Sequence, residues 1–336
     1  MSIDRMIIIA WAERLDNAAD FAERVGRPSY SIYYHMFSNS RLLVPVRYFL
    51  QTLKTWQILL VQRPTLVHVT NPPIFATLNV FLYCKLFRAQ YLLCVHPPSL
   101  YSRKWSWTVP LLRFCARHAL INILDQERFK TLFESWGARA VVLVKMPRSY
   151  PACDIPPSTH GKYTITVVNT FAPDEPIEPI LSAAKRLPDT HFYVLGNLDL
   201  ADPEMISRAP KNVTFTGWLS HDLYWDQLKR SRAVMTLTTY PHSLVAGGTD
   251  GMAVGRPLIL SRQPALTEYF DKGTLFVDNT AESIVDEIRR LQQAEDRLQK
   301  EILELAIEKC QIWEMHYQKL MSVIEKPTLG VLSPEV

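Results

Sequence analysis

The chain of 336 residues is 48% hydrophobic and 21% charged, a composition that suits about two ordinary domains and excludes a disordered chain or a collagen-like or coiled-coil fibre. Its net charge of +4 conceals a split: residues 1–150 hold 19 Lys+Arg against 8 Asp+Glu, and the remainder holds 18 against 25. No acid stands from Val25 to Leu124, a segment with 11 Lys+Arg, so the N-terminal half is expected to meet something anionic.

The opening run, MSIDRMIIIAWAERLD, has too short an apolar core and too early an acid for a signal peptide. Met6–Ala10 predicts a strand, Asn17–Val25 an amphipathic stretch, Tyr30–Met36 a second strand and Tyr48–Val61 a helix. Leu66–Thr70 is a strand ending at Asn71-Pro72-Pro73. The longest apolar run, Ile74–Phe87, falls short of the roughly 20 residues of a membrane span and predicts a buried helix. Strand Tyr91–Val95 ends at His96-Pro97-Pro98; helix Val109–His118, strand Leu120–Leu124, helix Arg128–Trp136 and strand Ala140–Val144 follow. Continuously apolar strands alternating with helices predict a parallel sheet covered on both faces.

Met146–Tyr163, with Pro147, Pro151, Pro156 and Pro157, has the composition of a linker. The alternation then restarts with strand Thr164–Val168, helix Ile177–Arg186, strand Thr190–Leu195 before Gly196-Asn197, and strand Val213–Thr216 before Gly217. Helix Leu223–Arg230, strand Ala233–Thr238, a helix opening at Gly248 and strands Pro257–Leu260 and Leu275–Val277 follow, and a long helical region runs from Ala281 to about Ile324. The expected architecture is therefore two doubly wound α/β domains, 1–150 and 151–326, with a tail at 327–336 and a ligand site in the cleft between the domains. The five cysteines, Cys84, Cys94, Cys115, Cys153 and Cys310, form no CxxC pair, which fits buried thiols in a reducing cytosol and supports no zinc site.

The richest segment is Thr238–Ser261, TTYPHSLVAGGTDGMAVGRPLILS. It reads as a strand, a loop with Gly247 and Gly248, and a helix start whose free amides, Thr249 among them, can receive a phosphate. Asp250 can accept from a ribose diol, and His242, eight positions earlier, can reach a sugar hydroxyl or a phosphate. The plainer alternative is a capped helix start with a surface histidine. Arg103 and Lys104, with Trp105 and Trp107, Arg113 and Arg117, form a candidate basic, aromatic surface on the acceptor or membrane side.

Gly251-Met252-Ala253-Val254-Gly255-Arg256-Pro257-Leu258-Ile259-Leu260-Ser261 resembles the second part of the donor motif of GT-B glycosyltransferases of the family 4 group, A-M-A-x-G-x-P-V-I-x-S. The family's two glutamate positions fall on His242 and Asp250, and a bacterial subgroup has histidine at the first with glycine five residues later, as Gly247 stands here. The resemblance implies a GT-B fold of two Rossmann-like domains facing a cleft. It places Asn169, Thr170 and Glu175 on the first loop of the donor domain, where broader members have an Arg and a Lys on the diphosphate, and it places Gly196, Asn197, Gly217 and Trp218 near the base. Diphosphate binding is then expected to rest on backbone amides, hydroxyls or a helix terminus. His96 stands where the subgroup has the histidine of Asp-x-His, with Cys94 in the place of the aspartate; it is a candidate base, or a donor to the departing phosphate.

These features predict a cytoplasmic glycosyltransferase, peripheral at the inner face of a membrane. It would move a sugar from a nucleotide-sugar onto a glycan or lipid-linked acceptor, with His96, His242 and Asp250 as its catalytic set. No metal or other cofactor is expected, and no nucleic-acid motif is present. The alternatives are a non-catalytic nucleotide-sugar-binding or partner subunit, favoured by Cys94, Thr170, Glu175 and Asp250, and an epimerase or hydrolase of nucleotide-sugars.

Overall fold

A computed structural model describes residues 3–12, 16–34, 43–144 and 163–325. The chain divides into two compact units, 1–146 with 312–336, and 147–311. The linker expected at Met146–Tyr163, the tail at 327–336, Cys153 and the end of the strand expected at Tyr30–Met36 lie wholly or largely outside the described residues.

The first unit runs β1 (Met6–Ala10), α1 (Asp16–Val25), β2 (Ser29–Ser31), α2 (Val44–Gln62), β3 (Leu66–Asn71), α3 (Ile74–Phe87), β4 (Gln90–Val95), α4 (Pro98–Tyr101), α5 (Val109–His118), β5 (Ile121–Leu124), α6 (Glu127–Ser135) and β6 (Ala140–Val142). Its six strands lie in the order β2-β1-β3-β4-β5-β6, every neighbour parallel. A strand alternates its side chains between faces, and here both faces are apolar. Ile7, Ile9, Val67, Val69, Leu93 and Val95 pack under α2, α3, α5 and α6. Met6, Ile8, Leu66, Leu92, Ile121 and Ile123 pack on the other side against Ala18, Phe21 and Ala22 of α1 and against Trp313, Tyr317, Leu320 and Ile324. Each such side chain, fully buried, contributes about 1.5–3 kcal/mol.

The second unit runs β7 (Tyr163–Val168), α7 (Glu178–Arg186), β8 (Thr190–Leu195), α8 (Pro203–Ser207), β9 (Val213–Gly217), α9 (His221–Arg230), β10 (Ala233–Thr236), α10 (Ala246–Ala253), β11 (Leu258–Ser261), α11 (Pro264–Tyr269), β12 (Thr274–Val277) and α12 (Ala281–Glu325). Its parallel sheet has the order β12-β11-β10-β7-β8-β9. One face packs on α7 and the first turns of α12 through Ile165, Val167, Phe192 and Met235. The other packs on α9, α10 and α11 through Val234, Leu258 and Leu260. The order reverses between β7 and β10, which places the crevice of a doubly wound sheet at their carboxyl ends.

The helix α12 departs from helical geometry at Ala294 (φ −128°, ψ 18°). The sequence boundary of 151–326 assigned all of it to the second domain, yet its residues from Ile312 onward belong to the first unit. The reason lies in the sheet: between strand and solvent on the face of Met6 and Ile8, α1 alone leaves apolar surface that these last turns cover. Trp313 donates through Nε1 to the Val144 carbonyl at 2.9 Å, stacks on Tyr317 at 5.1 Å and lies under the Arg24 guanidinium. Trp313→Ala is expected to cost about 3–5 kcal/mol, read as a lowered first unfolding midpoint in urea with the second unit's transition unmoved.

Candidate functional site

In the second unit the loops after β7 and β10 flank the crevice, and polar side chains tie them together. Asp174, in the loop after β7, accepts through Oδ2 from Thr238 Oγ1 at 2.9 Å, and its carbonyl accepts from the Thr239 amide at 2.7 Å. Beyond it the bonds close a ring. The Thr238 amide donates to Ser261 Oγ at 2.8 Å, Ser261 Oγ donates to Asn279 Oδ1 at 2.6 Å, and Asn279 Nδ2 returns to the Thr238 carbonyl at 3.1 Å. These four residues fix the ends of β7, β10, β11 and β12. Only Ser261 falls in a recognisable motif.

The turn after β7 holds an aromatic residue in the left-handed region, Phe171 at φ 59°, where a side chain is uncommon. Buried Asn169 holds it there by accepting the Phe171 amide on Oδ1 at 2.7 Å. Thr170 sits between them, and both of its donors, amide and hydroxyl, go to Glu175 Oε2, the hydroxyl at 2.9 Å. Burial raises the Glu175 pKa against these bonds. A carboxylate thus occupies the donors that the sequence reading offered to a diphosphate.

Neighbouring β8 ends at Gly196, whose φ of 151° and closeness to β7 admit no other residue, because a Cβ would overlap the Asn169 carbonyl oxygen. Asn197 caps a short turn, its Oδ1 accepting from the Asp199 amide at 3.1 Å. Gly217 has φ 71°, and Trp218 after it, at the end of β9, is 63% exposed.

The glycine pair lies elsewhere than the sequence suggested. The helix α10 opens at Ala246, two residues before the start expected at Gly248, so Gly247 joins Gly248 in its first turn, and both are buried. A Cβ on Gly247 would overlap Thr236 Oγ1 and lie 2.7 Å from Val168 Cβ; one on Gly248 would lie 3.0 Å from the Phe270 ring; one on Gly251 would lie 2.6 Å from Leu258 Cδ2. These glycines let α10 descend onto the strands. Thr249 closes its hydroxyl onto the Ala246 carbonyl at 2.8 Å. Asp250 is consequently in the second turn, 7% exposed, with Tyr224 Oη donating to its Oδ2 at 2.8 Å. His242 is half-buried in the loop between β10 and α10. Arg256 is structural: its Nε donates to the Lys229 carbonyl at 3.0 Å, at the C-terminal turn of α9, where a cation suits the helix dipole.

His96 belongs to the first unit. It follows β4, and its amide donates to the Asn71 carbonyl at 3.0 Å. Its side chain lines a small pocket of about 60 Å³ together with His68, Cys94, Asp125 and Trp313. Burial holds the His96 pKa below its usual value, so the ring is neutral at neutral pH. His68 is 3% exposed, stacks on Phe21 at 5.1 Å and is pushed down to about 4, first by burial and then by His96. Asp125, just beyond β5, is pushed up to about 7 by burial, and its Oδ1 is enclosed without a hydrogen bond. This acid brings a carboxyl into the pocket that His96 lines, while Cys94 stands at the position where one was expected. A lone aspartate after an apolar strand gave no signal in the sequence. Arg103, Lys104, Arg113 and Arg117 are exposed on the same unit, Lys104 lying over the Trp105 ring at 5.2 Å.

Residues 175–325 match the family model described as glycosyl transferase-like. No curated protein sequence matches the chain. Among solved structures, sucrose-phosphate synthase from Thermosynechococcus elongatus superposes with a TM-score of 0.71 at 13% identity, over 95% of this chain and 98% of that one. HepE from Anabaena in complex with UDP and glucose gives 0.69 at 14% identity over 94% and 99%. The α,α-trehalose 6-phosphate synthase from Burkholderia multivorans gives 0.69 at 11% over 96% and 98%. The fold is that of the GT-B glycosyltransferases, two Rossmann-like units, and residues 175–325 are glycosyltransferase-like in sequence.

Two outcomes test this geometry. Gly247→Ala is expected to destabilise the second unit by about 1–3 kcal/mol through overpacking, measured by urea unfolding. The second concerns proton linkage. Between its ordinary 3.8 and about 7, folded Asp125 holds a proton that the unfolded chain has lost, so its contribution is full below 3.8 and lost as pH rises through 7. His68 acts oppositely, since folding resists its protonation between 6.5 and about 4. Asp125→Asn is therefore expected to gain thermal midpoint over the wild type progressively from about pH 4 to pH 7 and to match it in more acid solution.

Proposed function

We propose that the protein is a glycosyltransferase that takes its sugar from a nucleotide-sugar held by the second unit and passes it to a glycan or lipid-linked acceptor met by the first. The observation that carries this reading is the pinned pair of loops at the β7/β10 crevice, with His242 and Asp250 on the β10 side inside the segment, residues 175–325, that matches the glycosyl transferase-like model. The HepE structures hold UDP, glucose and UDP-glucose, so UDP-glucose is the first donor to test.

In this reading Asp250, oriented by Tyr224, accepts from the donor's hydroxyls, and Trp218, an exposed aromatic residue at the end of β9, meets the base. The first two amides of α10 and the half-buried His242 meet the diphosphate. The neutral His96 takes the proton of the acceptor hydroxyl as the bond from the anomeric carbon to the phosphate oxygen breaks and the new glycosidic bond forms. The departing diphosphate carries the electron pair, and its stabilisation by fixed dipoles supplies much of the rate.

One observation favours a second reading, a nucleotide-sugar-binding subunit without turnover. The loop after β7 has no cation, and Glu175 already occupies its donors. The two readings part on one assay, release of UDP from UDP-glucose in the presence of a membrane extract as acceptor. Turnover supports the enzyme; binding without turnover supports the subunit.

His242→Ala and Asp250→Ala are each expected to weaken UDP-glucose binding about tenfold, the loss of one charge-assisted contact. Unchanged affinity in both, by calorimetry, would overturn the donor assignment. Glu175→Gln removes a negative charge from the diphosphate's path and is expected to tighten UDP binding a few-fold.

A further inference from the structure

We propose that the outer face of α2, α3 and α5 docks the protein onto an anionic phospholipid bilayer, lying in the plane of the interface. The first observation is an inverted helix. On α2, Val46, Phe49, Leu53 and Leu60 recur at helical spacing and are 43%, 61%, 51% and 47% exposed. Two of the side chains that α2 buries are polar, Gln51 and Thr55. Gln51 Nε2 donates to the Ile32 carbonyl at 2.6 Å, and Thr55 Oγ1 accepts from Trp11 Nε1 at 2.8 Å. A helix against water carries its polar residues outward; this one also carries a large apolar stripe there.

The stripe is continued by its neighbours. On α3, Leu82, Leu86 and Phe87 are 50%, 70% and 53% exposed. On α5, Leu111 and Phe114 are 40% and 45% exposed, and Phe114 meets Phe81 of α3 edge to face at 5.2 Å. A groove of about 530 Å³ between α2 and α3 is lined by Tyr48, Phe49, Phe75, Leu78 and Leu82. Trp56 Nε1 of α2 donates to Asn79 Oδ1 of α3 at 2.8 Å, so the two helices present one surface. Contiguous apolar faces of this kind mark interaction sites.

Charge selects the occupant. Lys54, Lys85, Arg88, Arg113 and Arg117 are exposed on these helices and their ends and make no ion pair among the described residues. No acid stands between Val25 and Leu124 to oppose them. Apolar insertion combined with unopposed cations is the requirement for binding an anionic lipid surface. A second copy of the chain would bring this positive face against itself. Trp107, 63% exposed just before α5, is the kind of side chain that settles at headgroup depth. No helix among the described residues is long and apolar enough to cross a membrane, so the contact is lateral.

This inference does not rest on the donor reading, and its test needs no sugar. The full chain is mixed with vesicles of phosphatidylcholine alone or with about 30% phosphatidylglycerol, at about 0.1 M and 0.5 M salt, and sedimented. Binding is expected to be about tenfold stronger on anionic vesicles and to fall in high salt. Phe49→Ser with Leu53→Ser and Leu86→Ser is expected to cut it about tenfold at low salt with circular dichroism and thermal midpoint kept. Lys54→Glu with Lys85→Glu and Arg88→Glu is expected to abolish the anionic preference without touching an apolar side chain. Equal binding to both vesicle types, no binding, or serine variants that bind like the wild type would each overturn the proposal. So would a concentration-dependent dimer, seen by light scattering, that the serine changes disperse, since a second copy would then cover the face. UDP binding measured on the same variants keeps a failure here separate from a failure of the donor assignment.

Discussion

The second unit depends on a ring of hydrogen bonds through Thr238, Ser261 and Asn279, with Asp174 fastened to it. Parallel strands end with carbonyls and loops that nothing in the sheet itself restrains. Here the bonds run across four strand ends, so each loop inherits its position from its neighbours. A buried network is stabilising only when its members are satisfied, and this one closes on itself. The start of the loop that carries His242 is placed by that closure, while Asp250 is placed by the packing of α10 on the strands. Asn279 takes part at φ 56°, a conformation that asparagine tolerates better than most side chains.

The strand and helix alternation was legible because continuously apolar strands and turn residues leave a strong periodic signal. Both sheets and most longer helices follow it within a few residues. Short helices such as α8 and α11 carry too few residues to show a period, and the sequence reading passed over them. The glycine pair misled for a physical reason. Gly247 and Gly248 lower helix propensity, which argues for a loop, but the tight approach of α10 to Val168, Thr236 and Phe270 overrides propensity. The two glycines thus also serve as packing devices, and Asp250 lies two residues deeper in the helix than a start at Gly248 would put it. Asp125 and His68 were invisible for another reason: a cluster drawn from three different strands has no sequence spacing.

The end of α12 shows a limit of periodicity. A helical pattern states that one face is apolar; it does not state which sheet that face covers. Trp313, Tyr317, Leu320 and Ile324 have the spacing of a stripe wherever they pack. Only the strands settle the matter, because the face of Met6, Ile8 and Leu92 has α1 on it and room for more. The consequence reaches the pocket of His96. Trp313 forms part of its lining, so the far end of the chain shapes the environment in which His68, His96 and Asp125 titrate.

The two faces of the first sheet divide the work. The helices α2, α3 and α5 cover the side of Ile7, Ile9 and Val69, and their outer surfaces are apolar and basic. The pocket of His68, Cys94 and His96 opens on the other side, under α1 and Trp313. A bilayer held by α2 and α3 would therefore leave that pocket uncovered. In that arrangement a lipid-linked acceptor would reach the histidine around the edge of the sheet or along its carboxyl end. The carboxyl end is the shorter path in a doubly wound sheet, since the loops there carry His96 and Asp125 themselves. Under the two proposals, docking and proton transfer would be properties of one unit without competing for one surface, and the cations of residues 25–124 would have a role that folding alone does not require of them.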